Sequence, residues 1–242
     1  MNRRKRVYLR GKRILKQLLR KDVWNYAQVN IPREFHGSES EGWCVASNVL
    51  PSNGIVYSIG IGNDVSFDLS LIEHYNAQVF AYDPTPESIE WVAQQDMPDS
   101  FRFFGVGLAH YDGTAQFFRA RKESNICHSM QPRKETVENA IEVTVNRLET
   151  LCKENNHSHI DLLKIDIEGT EYEVIEDIMA SSITIDQILV EFHHRFKDIS
   201  NRETKKAIAR MNQLGYHIFF VSLKGREYSF INERLLKPDS HR

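Results

Sequence analysis

The sequence contains no long hydrophobic run. Its 242 residues hold apolar stretches such as Ile188–Val190 and Ile218–Val221, which are far too short to span a bilayer. No apolar segment follows the basic start, so the pattern predicts no secretory signal. Glycine and proline number only 12 and 7, which excludes collagen-like and low-complexity chains. With 41% hydrophobic and 26% charged residues, the composition predicts a folded chain with one main domain.

Cysteine is also scarce. Cys44, Cys127 and Cys152 are widely spaced and odd in number. They form neither a disulfide framework nor a metal-ligand spacing. We therefore predict no metal site and a reducing, cytoplasmic location. A peripheral position at the membrane surface is the alternative that the N-terminus suggests.

Charge is unevenly distributed along the chain. Residues 1–21 hold ten Lys and Arg and no acid, which leaves 21 basic against 33 acidic residues elsewhere, a net charge of −12. A body this acidic predicts no nucleic acid partner, because neutralising phosphates supplies most of that affinity.

The basic segment is predicted to be a helix with an apolar stripe. The stripe consists of Val7, Gly11, Ile14, Leu15, Leu18 and Leu19. Two interpretations are open. Either a solvated helix docks this stripe on the body, or residues 1–21 contact an anionic membrane or an acidic partner.

Beyond this segment the pattern alternates between strands and helices. A turn-like stretch at residues 36–42 separates a basic extension, residues 1–35, from a domain of residues 36–242. Strands are predicted at Ile55–Ile59, Ala77–Tyr82, Phe101–Val106, Ile160–Ile165, Ile185–Phe192, His217–Ser222 and Glu227–Ile231, with shorter ones at Thr114–Phe118 and Ile141–Val145. Helices are predicted at Val65–Tyr75, Pro86–Gln95, Leu148–Asn155, Tyr172–Ala180 and Thr204–Leu214. This order predicts an α/β fold with a mostly parallel sheet and a C-terminal antiparallel pair.

Two glycines, Gly60 and Gly62, follow the first strand of this alternation. They allow backbone to approach a ligand closely, and we expect a side chain at Gly60 to occupy ligand space. Asp83 ends the next strand 21 residues after Gly62, where nucleotide-binding folds place an acid on the ribose hydroxyls. The alternatives are a tight structural turn for the glycines and, for Asp83, a helix cap or a turn-stabilising aspartate.

The residues after the glycines favour one cofactor class over another. A dinucleotide site needs a third glycine, and Val65 stands there. Asp64 would oppose a pyrophosphate, whereas it suits the ammonium and sulfonium groups of S-adenosylmethionine. The sequence therefore favours S-adenosylmethionine over a nicotinamide dinucleotide.

A third motif places carboxylates after a buried strand. Asp166 ends Ile160–Ile165, and Glu168 and Glu171 follow around Gly169. Ligands of doubly wound folds bind at this edge of the sheet. The alternative is a helix N-terminus whose acids complement the dipole, which fits Glu168 and Glu171 better than Asp166.

The segment Leu163–Glu171, with the sequence LKIDIEGTE, resembles the hallmark of FkbM-type S-adenosylmethionine-dependent methyltransferases. Tyr57–Phe67 resembles the first cofactor motif of that family, Val190–His193 its next strand, and Cys127–Met130 a polar loop motif. The resemblance covers about residues 36–232. It implies a Rossmann-like class I methyltransferase fold, with a seven-stranded sheet ending in a reversed hairpin. It also implies methyl transfer, usually to an oxygen of a sugar or another secondary metabolite.

The same resemblance implies roles for single residues. Gly60 and Gly62 would shape the donor pocket, Asp83 would hold the ribose, and Asp166 and Glu168 would face the reacting centre. Two positions depart from the family pattern. Ser58 stands where an acid is common, and Asp64 stands where a glycine is common. Both are expected at the methionine end of the donor site.

His193 is the third catalytic candidate, because it follows the strand next to Asp166. It could act as the base with Asp166 positioning it, it could form a metal pair with Asp166, or it could be a polar strand-end histidine. Adjacent residues on a strand point oppositely, so we expect His194 to face elsewhere. We predict methyl transfer to a hydroxyl of a small-molecule or glycan acceptor. The alternatives are a non-catalytic nucleotide- or partner-binding module with this fold and, less favoured, a NAD-dependent oxidoreductase.

Overall fold

The computed structural model describes residues 3–19, 21–38, 42–120, 128–129, 136–196 and 199–236. Along the chain the elements are α1 (Arg3–Leu18), β1 (Glu34–His36), β2 (Trp43–Val45), β3 (Ile55–Ile59), α2 (Ser66–Tyr75), β4 (Gln78–Tyr82), α3 (Pro86–Ala93), β5 (Phe101–Phe104), β6 (Gly107–Leu108), β7 (Gly113–Ala120), β8 (His128–Ser129), β9 (Thr136–Asn146), α4 (Leu148–Glu154), β10 (His159–Ile165), α5 (Glu171–Ala180), β11 (Thr184–Glu191), α6 (Asn201–Gln213), β12 (Tyr216–Val221), β13 (Glu227–Asn232) and a 3-10 turn (Glu233–Leu235). Among the helices of the described ranges, none is long and apolar enough to cross a membrane.

A seven-stranded sheet with the order β12–β13–β11–β10–β3–β4–β5 forms the centre of the domain. Strands β11, β10, β3, β4 and β5 are parallel, whereas β13 runs antiparallel to both β11 and β12. This confirms the predicted Rossmann-like class I fold with its C-terminal hairpin. The strand order reverses between β3 and β10, and ligands of such sheets bind beside the carboxyl ends of the strands at this point.

Both faces of the sheet are covered. Helices α4, α5 and α6 contribute to the apolar core on one face, and α2 and α3 contribute to the core on the other. Leu163 faces the first core and its neighbour Leu162 faces the second. Because successive side chains alternate in direction, a strand covered on both faces carries apolar side chains on both. This explains why Ile160–Ile165 of β10 is mostly apolar, with Asp161 and Lys164 as the exceptions.

Two smaller sheets differ from the predicted pattern. Strands β6, β9, β7 and β8 form a separate four-stranded sheet, and the predicted Thr114–Phe118 and Ile141–Val145 are inner parts of the longer β7 and β9. Strands β1 and β2 pair across the predicted turn at residues 36–42, so β1 spans the expected boundary after residue 35. Three residues are too few to show a period of two, which is why the sequence pattern missed both strands.

The N-terminal segment is a helix, as predicted, but its apolar stripe is not docked on the body. The exposed fractions of Val7, Ile14, Leu15, Leu18 and Leu19 are 65%, 49%, 58%, 67% and 57%. The opposite side of α1 makes the contacts instead. Gln17 is buried there, and its Nε2 donates to the carbonyl oxygen of Val23 at 2.9 Å. The interpretation of a stripe packed on the domain is therefore wrong.

Strands β3, β4 and β10 approach closely just beyond β3. The Gly60 amide donates to the Tyr82 carbonyl at 2.9 Å, and the Asp166 amide donates to the Ile59 carbonyl at 3.1 Å. Gly60 has a positive φ of 76°, and a Cβ at this position would collide with the carbonyl oxygen of Asp166. The expectation that a Gly60 side chain would first enter ligand space is thus wrong, because it meets the neighbouring backbone.

We expect Gly60→Ala to destabilise the fold far more than Gly62→Ala. Both glycines have positive φ, so both variants carry the left-handed penalty of about 1–2 kcal/mol. Only Gly60→Ala adds a backbone collision, since a Cβ at Gly62 meets nothing within 4 Å. Thermal melting followed by circular dichroism would measure the difference. Equal melting temperatures for the two variants would contradict the close approach of Gly60 and Asp166.

Candidate functional site

A cavity of about 540 Å³ lies at the carboxyl ends of the central strands. Six of the eight predicted site residues line it, namely Gly60, Gly62, Asp64, Asp83, Asp166 and Glu168. All six lie in the turns that follow β3, β4 and β10. Its size is that of a small-molecule or cofactor site. The reversal of strand order therefore coincides with the cluster that the sequence motifs predicted.

Asp83 holds the glycine turn in place. Its Oδ2 accepts a hydrogen bond from the Gly62 amide at 2.9 Å. Its Oδ1 accepts from the Thr85 amide at 3.0 Å and from the Thr85 hydroxyl at 2.6 Å. A carboxylate has about four lone-pair sites, so acceptor capacity is left for a ligand hydroxyl in the cavity. Asp83 thus stabilises the turn, as the alternative interpretation has it, and its position still allows the predicted contact with a ribose.

Asp64 supplies a second negative charge to the same wall. Its Oδ1 accepts from the Ser66 amide at 2.8 Å, and its Oδ2 accepts from the Ser38 hydroxyl at 3.2 Å. Burial opposes ionisation, but these hydrogen bonds and the nearby Lys164 hold the pKa of Asp64 below its usual value. The cavity therefore presents a carboxylate that suits a cationic ligand group.

Ser58 lies outside the cavity lining. It is fully buried within β3, where it pairs in register with Ala81 and Lys164. Because side chains alternate along a strand, Ser58 follows Val56 toward the side covered by α2. The structure therefore does not bring the predicted Ser58 together with the other donor-site residues.

Lys164 and Asp68 occupy this part of the wall, and the sequence analysis missed both. The Lys164 ammonium donates to the Gly60 carbonyl at 2.9 Å and lies 5.7 Å from the centre of the Trp43 ring. Burial raises the pKa of Asp68 to about 6, although the charge of Lys164 opposes the shift. The available signal was a lysine inside an otherwise apolar strand, since lysine is rarely buried without a partner.

His193 is surrounded by carboxylates but does not line the cavity itself. Its Nε2 lies 3.6 Å from Glu168 Oε2, 3.8 Å from Asp166 Oδ1 and 3.9 Å from Glu191 Oε1. Only 3% of its side chain is exposed. All three predicted catalytic residues are therefore neighbours, with Asp166 and Glu168 between the cavity and the imidazole.

Glu171 positions this histidine from the other side. Its Oε1 accepts the His193 amide at 2.7 Å and lies 3.5 Å from the imidazole Nδ1, while its Oε2 accepts the Gly169 amide at 2.8 Å. Burial opposes ionisation, but the interactions with His193 hold the pKa of Glu171 below its usual value. The preceding Glu168 has a positive φ of 54°, a strained conformation that often accompanies functional sites.

The surroundings divide the charges between His193 and Asp166. Burial disfavours the imidazolium, yet Glu171, Glu168 and Asp166 outweigh it and raise the pKa of His193 to about 9. Burial raises the pKa of Asp166 to about 6, with Lys164 and His193 opposing the shift and Glu168 adding to it. Near neutral pH the site therefore contains a protonated imidazole beside a carboxylate that can accept a proton.

Glu191 and Arg226 complete the cavity wall and were not among the predicted site residues. Arg226 Nη1 lies 2.8 Å from Glu191 Oε1. Burial and the nearby Asp166 and Glu227 carboxylates raise the pKa of Glu191, whereas Arg226 opposes the shift. An acid at the end of the apolar strand β11 was a signal in the sequence. Arg226 sits in the hairpin turn and carried none.

Two groups in the described residues have ligand atoms close enough to hold a metal ion. The first group is Asp166, Glu191 and His193, and the second is His159, Asp161 and Asp186. In each group the candidate ligand atoms lie within 4.8 Å of one another. A metal ion at the first group would have to displace the proton of the His193 imidazole, and in the second group Asp186 already pairs with Arg234. The prediction of no metal site stays a prediction.

The remaining histidine candidates lie apart from this cluster. His194 Nε2 donates to Asp22 Oδ1 at 3.3 Å, so the two adjacent histidines serve different partners. His128 and Ser129 form β8, which pairs with β7. Cys127 and Met130, the other members of that predicted loop motif, lie outside the described residues.

Comparison with known proteins adds a family match. The model described as "Methyltransferase FkbM domain" matches residues 45–218. No curated protein matches the chain.

Solved structures are similar only at low identity. Human methyltransferase-like protein 13, in complex with SAH, is 11% identical with a TM-score of 0.46, over 80% of this chain and 77% of that chain. The fibrillarin pre-rRNA processing protein of Methanococcus jannaschii is 9% identical with a TM-score of 0.44, over 76% of this chain and 69% of that chain. A methyltransferase from Pyrococcus furiosus is 13% identical with a TM-score of 0.39, over 92% of this chain and 97% of that chain. None of the three decides the function.

The matched region begins at β2 and ends in β12, and thus contains β3, β4, β10 and β11, whose ends build the cavity. On this match the chain belongs to the FkbM methyltransferase family, whose methyl donor is S-adenosylmethionine.

Proposed function

We propose that the protein transfers the methyl group of S-adenosylmethionine to a hydroxyl oxygen of a saccharide or another small metabolite. The cavity residues suit this donor. Gly60 and Gly62 line the cavity with backbone, and Gly62 leaves open space beside the strand end. Asp83 can accept hydrogen bonds from ribose hydroxyls, and Asp64 is an ionised acid for the cationic end. When bound, S-adenosylmethionine supplies an electrophilic methyl group on a positively charged sulfur.

The raised pKa of Asp166 is the observation that carries the choice of oxygen. A hydroxyl is a poor nucleophile at neutral pH, so a base must take its proton during transfer. Asp166 lines the cavity and has its pKa raised to about 6 by burial, which makes it a stronger base than an ordinary aspartate and still leaves it ionised at neutral pH. Asp166 is therefore the proposed general base.

His193 is not the proposed base, although the sequence analysis left that role open. With a pKa raised to about 9, its imidazole is already protonated near neutral pH and has no free lone pair. It is instead a positioning residue, which holds positive charge beside the Asp166 and Glu168 carboxylates. Glu168 lines the cavity 3.6 Å from His193 Nε2 and is proposed to orient the acceptor hydroxyl.

Turnover would separate this enzyme from a non-catalytic module with the same fold. The full chain would be incubated with isotopically labelled S-adenosylmethionine and pooled glycan and metabolite extracts. Mass spectrometry of labelled products would then show whether the methyl group is attached to oxygen. Donor binding without labelled product in any extract would favour the module, and label on nitrogen would overturn the assignment to a hydroxyl.

Asp83→Ala is expected to weaken binding of S-adenosylhomocysteine by about tenfold to 150-fold. This range corresponds to the loss of a hydrogen bond to a charged group, about 1.5–3 kcal/mol. Titration calorimetry would measure the affinity, with the exposed Asp99→Ala as the matched control. If a folded Asp83→Ala protein binds as tightly as the unaltered chain, Asp83 serves only the glycine turn.

Asp166→Asn is expected to lower the turnover rate by about 100- to 10,000-fold, because the general base is lost. Affinity for S-adenosylhomocysteine should change little, and Glu173→Gln, an exposed acid of α5, should have no effect. In the unaltered chain the rate should rise with pH as Asp166 loses its proton, with an inflection near its raised pKa of about 6.

The pH profile also tests the competing base. A rate that rises only around the raised pKa of His193, about 9, would assign proton removal to the imidazole. Near-full turnover by Asp166→Asn on a verified acceptor would make the strand-end carboxylate structural.

A further inference from the structure

Helix α1 has its faces reversed relative to an ordinary surface helix, whose apolar side packs on the core. Here Ile14, Leu15 and Leu18 face outward with exposed fractions of 49%, 58% and 67%. The first 35 residues contain nine exposed large hydrophobic side chains. These are Val7, Tyr8, Ile14, Leu15, Leu18, Leu19, Trp24, Tyr26 and Phe35. Residues 1–21 also hold ten Lys and Arg and no acid.

Polar contacts on the inner face fix the helix in this orientation. Arg13 donates to the carbonyl oxygens of Asn25 at 3.0 Å and Ser222 at 3.3 Å. Just beyond the helix, buried Asp22 accepts from Arg195 at 2.5 Å. Hydrogen bonds from His194 and Arg195 outweigh the burial of Asp22 and hold its pKa below the usual value, which favours the carboxylate form of Asp22. Rotating the apolar face inward would break these contacts.

The inner face also forms one wall of a groove of about 320 Å³ beside the catalytic cluster. Its charged lining residues are Lys12, Arg13, Lys16, Arg195, Lys224 and Arg226. In the part of the chain that the structure describes, this lining contains no Asp or Glu. His193 contributes to the groove, and Arg226 lines both the groove and the donor cavity.

We propose that α1 lies in the plane of an anionic membrane surface and holds the groove and the catalytic cluster beside it. Outward Leu and Ile side chains would enter the boundary between headgroups and acyl chains. The exposed Arg3, Arg6 and Arg10, which do not line the groove, would pair with lipid phosphates. A second copy of the chain is a poorer occupant, because two such helices would bring two sets of cations together. An anionic bilayer satisfies both the exposed apolar face and the unbalanced positive charge.

This orientation has a consequence for access to the site. The groove and the bilayer-facing side chains are on opposite sides of one helix, whose diameter is about 10–12 Å. Docking would thus place the groove at the level of the lipid headgroups. An acceptor presented at the membrane surface is a corollary that rests on the proposed function, whereas the docking itself requires no catalysis.

Sedimentation of the full chain with vesicles tests the docking. Vesicles of phosphatidylcholine with phosphatidylglycerol are expected to carry the protein down at low salt, and vesicles of phosphatidylcholine alone are not. Raising the salt concentration should release the protein, because salt screens the charge attraction. The double variant Leu15→Gln/Leu18→Gln should bind about tenfold more weakly or worse, since two apolar side chains no longer enter the bilayer.

Leu214→Gln is the matched control, because Leu214 is a 40% exposed leucine outside the N-terminal segment. It should bind vesicles like the unaltered chain, and both variants should retain affinity for S-adenosylhomocysteine, which shows that they are folded. The proposal is overturned if the unaltered chain ignores anionic vesicles at low salt, or if the Leu15/Leu18 variant binds them as well as the control. It is also overturned if light scattering without lipid shows a dimer that the double variant dissociates, since the face is then covered by a second copy.

Discussion

The backbone contact between Gly60 and Asp166 is the constraint on which the site depends. It lies where the strand order reverses, and it exists only because position 60 has no side chain. Lys164 reinforces it by donating to the Gly60 carbonyl from beneath. The donor cavity and the proposed base therefore depend on the same contact, because Asp166 follows β10 and its backbone packs directly against Gly60 after β3.

Charge placement decides what this site can do chemically. The cluster brings Asp166, Glu168 and Glu191 around His193, while Glu171 binds the histidine from behind. Burial alone would keep the imidazole neutral, but the surrounding carboxylates keep it charged. The imidazolium in turn limits how far burial raises the pKa of Asp166. A base with a modestly raised pKa results from these opposing effects.

The N-terminal helix links the catalytic cluster to the outer surface. Its polar side docks beside His193 and Arg226, and its apolar side is exposed. The docked side faces Arg195, Lys224 and Arg226, so attraction between helix cations and acidic side chains does not explain the docking. Specific polar contacts hold the helix instead: Arg13 donates to the carbonyls of Asn25 and Ser222, and Asp22 just beyond the helix pairs with Arg195. The apolar residues are left outward as a consequence of these contacts.

Much of the domain could be predicted from local sequence. Strands β3, β4, β10 and β11 are short, mostly apolar segments bounded by turns, because a strand covered on both faces carries apolar side chains on both. The glycines after β3 and the acids after β4 and β10 were also visible, since they stand at strand ends. Short strands such as β1 and β2 were missed because they are defined by their pairing with each other and show no local sequence pattern.

Side-chain roles within the site depended on contacts between distant parts of the chain. Ser58 faces the α2 side and not the cavity, while Lys164, Glu191 and Arg226 joined the site from three different strands or turns. The outward face of α1 and the protonation of His193 could not be predicted locally either. An amphipathic pattern specifies that two faces differ, but the partners of Arg13 and Asp22 decide which face is buried. Likewise, a histidine's pKa depends on burial and on charges such as Glu171, which only the pairing of β10 with β11 brings beside it.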